Sequence, residues 1–490
     1  LLEDNSIKLA PGPKEKIYIQ KFYLYMTLTK PSDSLHIFWS KTSNNGKALR
    51  PAYLVHELKR LYPKLTVIDE EHVVQELMLN EGLTLLANGL RDHQFTGEWK
   101  ELFSYINKND KEEVQKLLDA GFFKKEEPMI GEDLSDKIYS DKSKVSITRM
   151  ERFSACPYAH FLDYGLHLQE REEHTFKPMD LGNIAHQSLE RFSNKAREKH
   201  MDWKDFSEEQ RKTMVDECVE ESVLDYGNTV LYSSARNEYM IRRIKHLINR
   251  SVWALTKQME VGDFKLSGCE FNFGSGKIDR IDTCETENTV YVKVTDYKTG
   301  MKSFDITAFY HGLQLQLPVY LNAALEQEKK RHPGKEVVPA GIFYYRIQDP
   351  FIGKKTEDAD AAILSELKLD GLVNANEDVI EHLEHNLEGA SSCYPLRKNK
   401  DGSLGSASKA VSSEGMEEML DYTKKKEKEI KDAIYNGSVE PAPYRMGDCT
   451  GCDYCKYHNI CGFDQRLNGY SYKEMKKYTS DEVFEKMKKN

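Results

Sequence analysis

Gly276-Lys277-Ile278-Asp279-Arg280-Ile281-Asp282, followed a turn later by Asp296-Tyr297-Lys298, decides the fold. Residues 288–297 read Asn-Thr-Val-Tyr-Val-Lys-Val-Thr-Asp-Tyr, and Val290, Val292 and Val294 alternate with other residues at a strand period. Residues 266–283 also read as strand, with a polar turn from Cys284 to Asn288. Paired as an antiparallel hairpin, the two runs set Asp279 opposite Asp296, with Lys298 on the face of Asp296. Carboxylates that close repel unless a cation lies between them. Hard oxygen ligands with open positions suit Mg²⁺ or Mn²⁺, which acidifies a water and offsets phosphate charge. Lys298 is placed to orient or deprotonate such a water. An Asp-x-Lys on a strand is by itself most often a solvated pair, so other elements carry weight.

Leu181 to Phe192 reads as a helix with Leu181, Ile184, Ala185, Leu189 and Phe192 on its apolar face. Gly182, His186 and Glu190 form an i, i+4 stripe beside that face. A helical histidine alone is an ordinary hydrogen-bonding residue; beside two carboxylates His186 becomes a candidate metal ligand. In Gly312-Leu313-Gln314-Leu315-Gln316-Leu317-Pro318-Val319-Tyr320, Gln316 and Tyr320 share a helix face, and Pro318 predicts a kink or a late helix start.

The chain has nine cysteines. Three are bunched as Cys452-x2-Cys455-x5-Cys461, a ligand-like spacing. Clustered thiols without a secretion signal read as a metal site in a cytoplasmic protein rather than a disulfide framework. A fourth thiolate comes either from Cys449, in the run Cys449-x2-Cys452, or from distant Cys156 in Ser154-Ala155-Cys156-Pro157-Tyr158. Spacing leaves both open.

The order Gly-x3-His, Gly-x-Ile-Asp, Asp-Tyr-Lys, Gln-x3-Tyr resembles the RecB-family nucleases of the PD-(D/E)XK superfamily. That resemblance implies an α/β, restriction-endonuclease-like core with a mixed sheet flanked by helices. It implies His186, Asp279, Asp296 and the carbonyl of Tyr297 as ligands of Mg²⁺ or Mn²⁺, and Lys298 as catalytic lysine. Gln316 and Tyr320 would help place DNA, with Asp282 and Glu270 as supporting candidates. The split cysteines resemble the AddB (RexB) family of bacterial helicase–nuclease complexes. There one cysteine before the nuclease fold and three after it hold a [4Fe–4S] cluster. The resemblance implies Cys156, Cys452, Cys455 and Cys461 as the ligands and Cys449 as a bystander; a four-cysteine zinc site is the alternative. It further implies an AddA-type helicase–nuclease partner and DNA ends as substrate. Degradation of the 5′-terminated strand, in double-strand break repair by homologous recombination in a bacterial cytoplasm, is implied with them.

At 490 residues the chain has room for two or three domains. No run of 18 apolar residues marks a membrane span. The net charge of −10 argues against a general polyanion binder, although an active site needs only local positive potential. The chain starts at Leu1 rather than methionine, which reads as part of a longer protein. Ile17-Tyr18-Ile19 and Leu35-His36-Ile37-Phe38-Trp39 read as strand-like or mixed. The Phe22-to-Pro31 stretch between them resembles the last motif region of superfamily 1 helicases, with Lys30 where an active motor carries arginine. Without a Gly-x4-Gly-Lys-Ser/Thr loop, no ATPase chemistry is expected of this chain.

The expected domains are therefore a degenerate helicase-like remnant (1–70), a helical connector (71–145), the nuclease closed by the cysteine clasp (146–470) and a tail (471–490). Between residues 41 and 145, helices are expected at Tyr53–Leu61, Glu70–Leu86, Gly97–Asn107 and Asp110–Ala120, then an exposed charged stretch from Lys124 to Lys144. Residues 195–260 read as a helical insert, Val337–Arg346 as a strand, 350–412 as containing a mobile loop, and Met416–Asn436 as a helix capped by Gly437. Two other functions compete with the nuclease subunit. A catalytically silent DNA- or partner-binding scaffold is disfavoured by the intact acidic site. A stand-alone CRISPR-adaptation exonuclease is disfavoured by the helicase-like stretch.

Overall fold

A computed structural model describes residues 12–43, 47–68, 78–92, 94–122, 129–139, 145–170, 178–227, 235–353, 358–467 and 469–489. The chain divides into two compact units, Leu1–Gly121 and Phe122–Asn490.

The first unit carries α1 (Pro13–Leu28), α2 (Tyr53–Leu61), α3 (Leu79–Arg91), α4 (Gly97–Asn109) and α5 (Lys111–Gly121). Ile17–Ile19, read as strand-like or mixed, lies inside α1. A three-residue apolar run does not fix a period, and here Pro13 opens a helix at its preferred first position. Leu35–Trp39 lies outside regular structure, and the nearest pairing is a single bridge between Thr42 and Ala48. Helices α3 to α5 bury Leu86, Trp99, Ile106 and Val114 together, and the Trp99 indole donates to the Leu86 carbonyl at 3.1 Å. The expected helix at Glu70–Leu86 begins at Leu79; residues 69–77 lie outside the described residues.

In the second unit α6 (Glu132–Ile138), α7 (Ile147–Ala155) and α8 (Pro157–His160) lead into α9 (Pro178–Glu198), α10 (Glu208–Gly227) and α11 (Ala235–Glu260). Then come β1 (Lys265–Asn272), β2 (Lys277–Glu285), β3 (Thr289–Lys298), α12 (Ile306–Tyr310), α13 (Gln316–Arg331) and β4 (Glu336–Arg346). They are followed by α14 (Ala359–Glu366), β5 (Asp370–Asn374), α15 (Glu377–Leu383), the hairpin β6 (Gly389–Ala390) and β7 (Arg397–Lys398), and β8 (Ala410–Val411). The last elements are α16 (Ser413–Tyr435), β9 (Tyr444–Met446), β10 (Cys449–Thr450), α17 (His458–Cys461), β11 (Lys473–Glu474) and α18 (Ser480–Lys489).

The main sheet runs β1-β2-β3-β4-β5-β8. Strands β1, β2 and β3 are antiparallel neighbours, β3 and β4 are parallel, and α12 and α13 make the crossover that a parallel pair requires. Alternation along β3 sends Tyr291 and Tyr297 into a core with α9, α10 and α11, and Val290, Val292 and Val294 into a second core with α7, α13, α16 and α18. The sheet is thus buried on both faces, a mixed α/β architecture of three layers.

Three expected boundaries shift. Residues 350–412, read as containing a mobile loop, also carry regular structure: β5 and β8 extend the sheet, and Leu369, Val373, Leu383 and Tyr394 are buried, while residues 354–357 lie outside the described residues. Their apolar side chains are spread thinly among Gly, Ser and charges, which hides the period. The stretch after residue 121 belongs with the second unit, because Ser135 Oγ donates to the Ile434 carbonyl at 3.1 Å and Met129 bridges Ser438. Within the stretch expected to be exposed, Tyr139 is buried; residues 123–128 and 140–144 lie outside the described residues. The expected tail is packed: β11 pairs β9, and Val483 and Met487 join the core of Met416 and Met419.

Candidate active site and cysteine cluster

The register Arg280↔Thr295 and Ile281↔Val294 brings Asp279 across from Asp296. On the other side, the pairs Cys269↔Arg280 and Phe271↔Ile278 bracket Glu270 across from Asp279. Three adjacent strands therefore contribute one carboxylate each. Helix α9 crosses this row with its Gly182–His186–Glu190 stripe. A Cβ at Gly182 would come within 3.3 Å of Thr299 Oγ1, so the small residue lets the helix start lie against the end of β3. One turn on, His186 Nδ1 stands 3.2 Å from Asp279 Oδ2. A further turn on, Glu190 lies 3.7 Å from Lys277 Nζ, which pairs with Glu270 at 2.5 Å.

Ligand atoms of His186, Glu270 and Asp279 lie within 4.8 Å of one another. Asp279 Oδ2 also accepts the Tyr297 N–H at 2.7 Å. Asp296 stands outside that trio and forms an ion pair with Lys298. Burial, then the nearby Asp279 charge, pushes Asp296 well above the usual carboxylate range. Glu270 is pushed up to about 7, first by burial and then by Asp279. Burial alone opposes protonation of His186, but the Asp279 hydrogen bond and the charges of Asp279, Asp296 and Glu270 raise it. Protons are thus held where repelling carboxylates crowd together, and a divalent cation would relieve the same repulsion. The donor set of one imidazole and carboxylate oxygens fits Mg²⁺ or Mn²⁺.

Helix α13 starts late, at Gln316, so Pro318 falls in its first turn. Gln316 Nε2 donates to Tyr320 Oη at 2.8 Å. Burial and then the Asp296 charge raise the Tyr320 phenol, so this pair borders the carboxylates. Asp282 does not join them. It lies on the opposite sheet face, buried against Arg280 at 2.8 Å and Lys293 at 3.7 Å, with Arg280 stacked over Trp203. Strand alternation puts residues 279 and 282 on opposite sides.

Sequence reasoning gave no role to Glu151. Its carboxylate on α7 accepts the N–H groups of Leu315 and Gln316 at 2.7 and 3.1 Å, capping α13. Burial raises this group, opposed by Lys302, the two backbone bonds and Lys298, so it also borders the site.

Helix α7 ends at Cys156, which is extended (φ −167°) because Pro157 opens the next helix. Cys156, Cys452, Cys455 and Cys461 line one cavity with Tyr457 and Phe463. Gly451 makes the approach possible: a Cβ there would sit 2.8 Å from the Ala155 carbonyl oxygen. Burial raises the Cys156 thiol, while the N–H groups of Ala159 and Tyr158 favour its thiolate. Burial, with added repulsion from Cys156, Cys455 and Cys461, pushes Cys452 up to about 11. Asp163 reinforces the junction, accepting from Tyr457 Oη at 2.5 Å and Arg152 Nε at 2.8 Å. Cys449 is exposed on β10 and is not among the cavity's lining residues.

Sheet order, crossover and acidic row are those of a nuclease core, and the chain belongs to the PD-(D/E)XK nuclease superfamily, whose sequence model matches residues 144–462. Among curated proteins it is similar to the B-type subunit of the ATP-dependent helicase/deoxyribonuclease of Lachnoclostridium phytofermentans, 35% identical over all of this chain and 45% of that protein. The proteins of the same name from Alkaliphilus metalliredigens and Clostridium tetani are each 30% identical, over 100% and 99% of this chain and 46% and 45% of theirs. The chain thus spans about half the length of the curated relatives it matches. Among the described residues no helix is long and apolar enough to cross a membrane.

Proposed function

We propose that this chain is the nuclease-bearing part of an AddB-type subunit, hydrolysing DNA phosphodiester bonds with a divalent metal. The observation that carries the reading is the row Glu270, Asp279 and Asp296 beneath His186, with Lys298 paired to Asp296. His186, Asp279, Asp296 and the Tyr297 carbonyl would hold Mg²⁺ or Mn²⁺, and Glu270, close to His186 and Asp279, would join that set. When bound, the ion supplies an acidified water and offsets charge on the scissile phosphate. Lys298 orients the attacking water and stabilises developing charge. The Gln316–Tyr320 pair positions the strand at the edge of the site.

Cys156, Cys452, Cys455 and Cys461 are proposed to bind a [4Fe–4S] cluster. All four cysteines line one cavity, and a four-thiolate set suits an iron–sulfur cluster as well as zinc. The cluster would tie the start of the nuclease fold to its end. In this reading the chain works with an AddA-type motor subunit on DNA ends, which is supported by relatives named as a subunit of an ATP-dependent helicase/deoxyribonuclease. Degradation of the 5′-terminated strand during recombinational repair belongs to this reading, as does dependence on the partner for ATP hydrolysis. The test is Mg²⁺-dependent release of nucleotides from end-labelled DNA by anaerobically purified protein, with iron, zinc and sulfide analysis. Absence of cleavage across Mg²⁺ and Mn²⁺ titrations, with the partner subunit present, overturns the catalytic reading.

A further inference from the structure

Helix α11 is basic in an acidic chain. Its 26 residues carry Arg236, Arg242, Arg243, Lys245, Arg250 and Lys257 against Glu238 and Glu260, while the whole chain has a net charge of −10. The spacing of residues 242, 246 and 250 places Arg242, His246 and Arg250 along one stripe. Beside this stripe runs α10, and an open cleft of about 670 Å³ lies at their junction. Arg211 and Lys212 of α10 and Arg242, Lys245, His246 and Arg250 of α11 line it.

These cations differ in how they are used. Lys245 is paired with Glu220 at 2.5 Å, and His246 lies 3.2 Å from Asp349. Among the described residues, no carboxylate stands within 4.0 Å of the Arg211, Lys212, Arg242 or Arg250 nitrogens. Glu208, Asp216 and Asp360 also line the cleft, and Asp216 accepts from Asn249 at 3.2 Å. Four cations without an ion-pair partner among the described residues, converging on one cleft, create a local positive potential within an acidic molecule. Trp253 closes one side, with the Arg250 guanidinium 5.3 Å above its ring.

The cleft's position gives this potential a purpose. Tyr345 of β4 pairs in register with Tyr297 of β3, beside Asp296 and Lys298. Its buried phenol lies near Ser251 and feels the Arg250 charge, so the stripe borders the strand next to the catalytic one. Asp349, the partner of His246, follows β4 three residues after Arg346, the register partner of Lys298. The His246 side of the cleft therefore lies near the end of β4, the strand beside the one that carries Asp296 and Lys298.

We propose that the α10–α11 cleft binds the phosphate backbone of single-stranded DNA and holds the strand whose end reaches the nuclease site. The inference rests on the nuclease reading for its purpose, and on charge and shape for its occupant. A cleft between two packed helices admits one backbone, and an indole beside guanidinium groups suits unstacked bases.

The test is fluorescence anisotropy with a labelled oligothymidine in EDTA, which prevents cleavage, on the full 490-residue chain. Arg242→Glu/Arg250→Glu is expected to weaken binding at least tenfold. The slope of log K against log salt should become shallower by about 1.4, for two lost phosphate contacts. Arg242→Gln/Arg250→Gln serves if charge reversal impairs folding, and the double lysine variant should retain most affinity. Hydrolysis of bis(p-nitrophenyl) phosphate with Mn²⁺, which needs no extended strand, should be unchanged in all of them. Loss of that hydrolysis in the parent protein counts against the nuclease reading, while the binding arm still judges the cleft. Wild-type affinity and salt slope in both the Glu and the Gln variants overturn the proposal. So does tighter binding of a duplex of the same length, lost equally in the variants.

Discussion

Glu151 and Leu315 are 164 residues apart in sequence, yet the carboxylate of one accepts the backbone N–H of the other at 2.7 Å. The helix that delivers Cys156 thereby also sets the start of the helix that delivers Gln316 and Tyr320. Glu151→Ala is expected to cost about 2 kcal/mol, the upper end for a lost helix cap. It should raise KM for DNA more than it lowers kcat, because Gln316 and Tyr320 lose their reference point. Glu151→Gln, which keeps one acceptor, should fall between. Thermal unfolding and steady-state cleavage check this; unchanged Tm and KM in the alanine variant would remove the positioning role.

Asp279→Ala and Lys298→Ala should each lower cleavage by at least about 10²-fold, the usual scale for losing one transition-state contact. Folding and iron content should stay intact, since neither side chain is among those lining the cysteine cavity. Circular dichroism and metal analysis alongside the nuclease assay separate a dead site from a misfolded one. Full activity in either variant rules out the assignment.

Cys156→Ala should lose iron and destabilise the second unit, whereas Cys449→Ala should keep both. Absorption spectra and metal analysis of anaerobic protein decide between them. The reverse pattern would move the site to the local run from Cys449 to Cys461.

His160 is fully buried, and its Nε2 accepts from Arg149 Nε at 2.9 Å, which requires the neutral ring. Burial, aided by the Arg149 charge, lowers its pKa from 6.5 to about 3. The unfolded chain therefore binds this proton at higher pH than the folded one. The stabilisation is fully present above about pH 6.5 and is lost as the pH falls toward about 3. Within that window the contribution changes by up to about 1.4 kcal/mol per pH unit. His160→Gln should flatten this part of the stability–pH curve, measured by denaturant unfolding at several pH values. An unaltered slope would show that another group governs acid unfolding.

Much of the acidic row was legible because strand alternation is a local signal. Val290, Val292 and Val294 give the period of β3, and the polar turn fixes Asp279 against Asp296. The late start of α13 could likewise be read from Pro318. Glu270 was harder, because its backbone is left-handed (φ 51°), a bulge-like break at which alternation no longer tells the face. Asp282 illustrates the opposite error: it stands in the motif, but its odd spacing from Asp279 sends it to the Arg280 and Lys293 side. Glu151 had no local signal, since its partners arrive from a distant helix start. In the first unit Ile17-Tyr18-Ile19 read as strand-like or mixed because three residues fix no period, and only the continuous length of the segment reveals α1.

The contact of Ser135 with Ile434, and of Asp163 with Tyr457, has a consequence for synthesis. The opening helices of the second unit are held by residues translated almost 300 positions later. Until α16 to α18 emerge from the ribosome, α7 and α13, which cover one face of the sheet, lack the outer helices that bury their far sides. The nascent chain must carry that exposed surface for many seconds at about 5–20 residues per second. Folding of this unit is thus a late, nearly all-at-once event, and the growing chain is a natural client for chaperones during the wait.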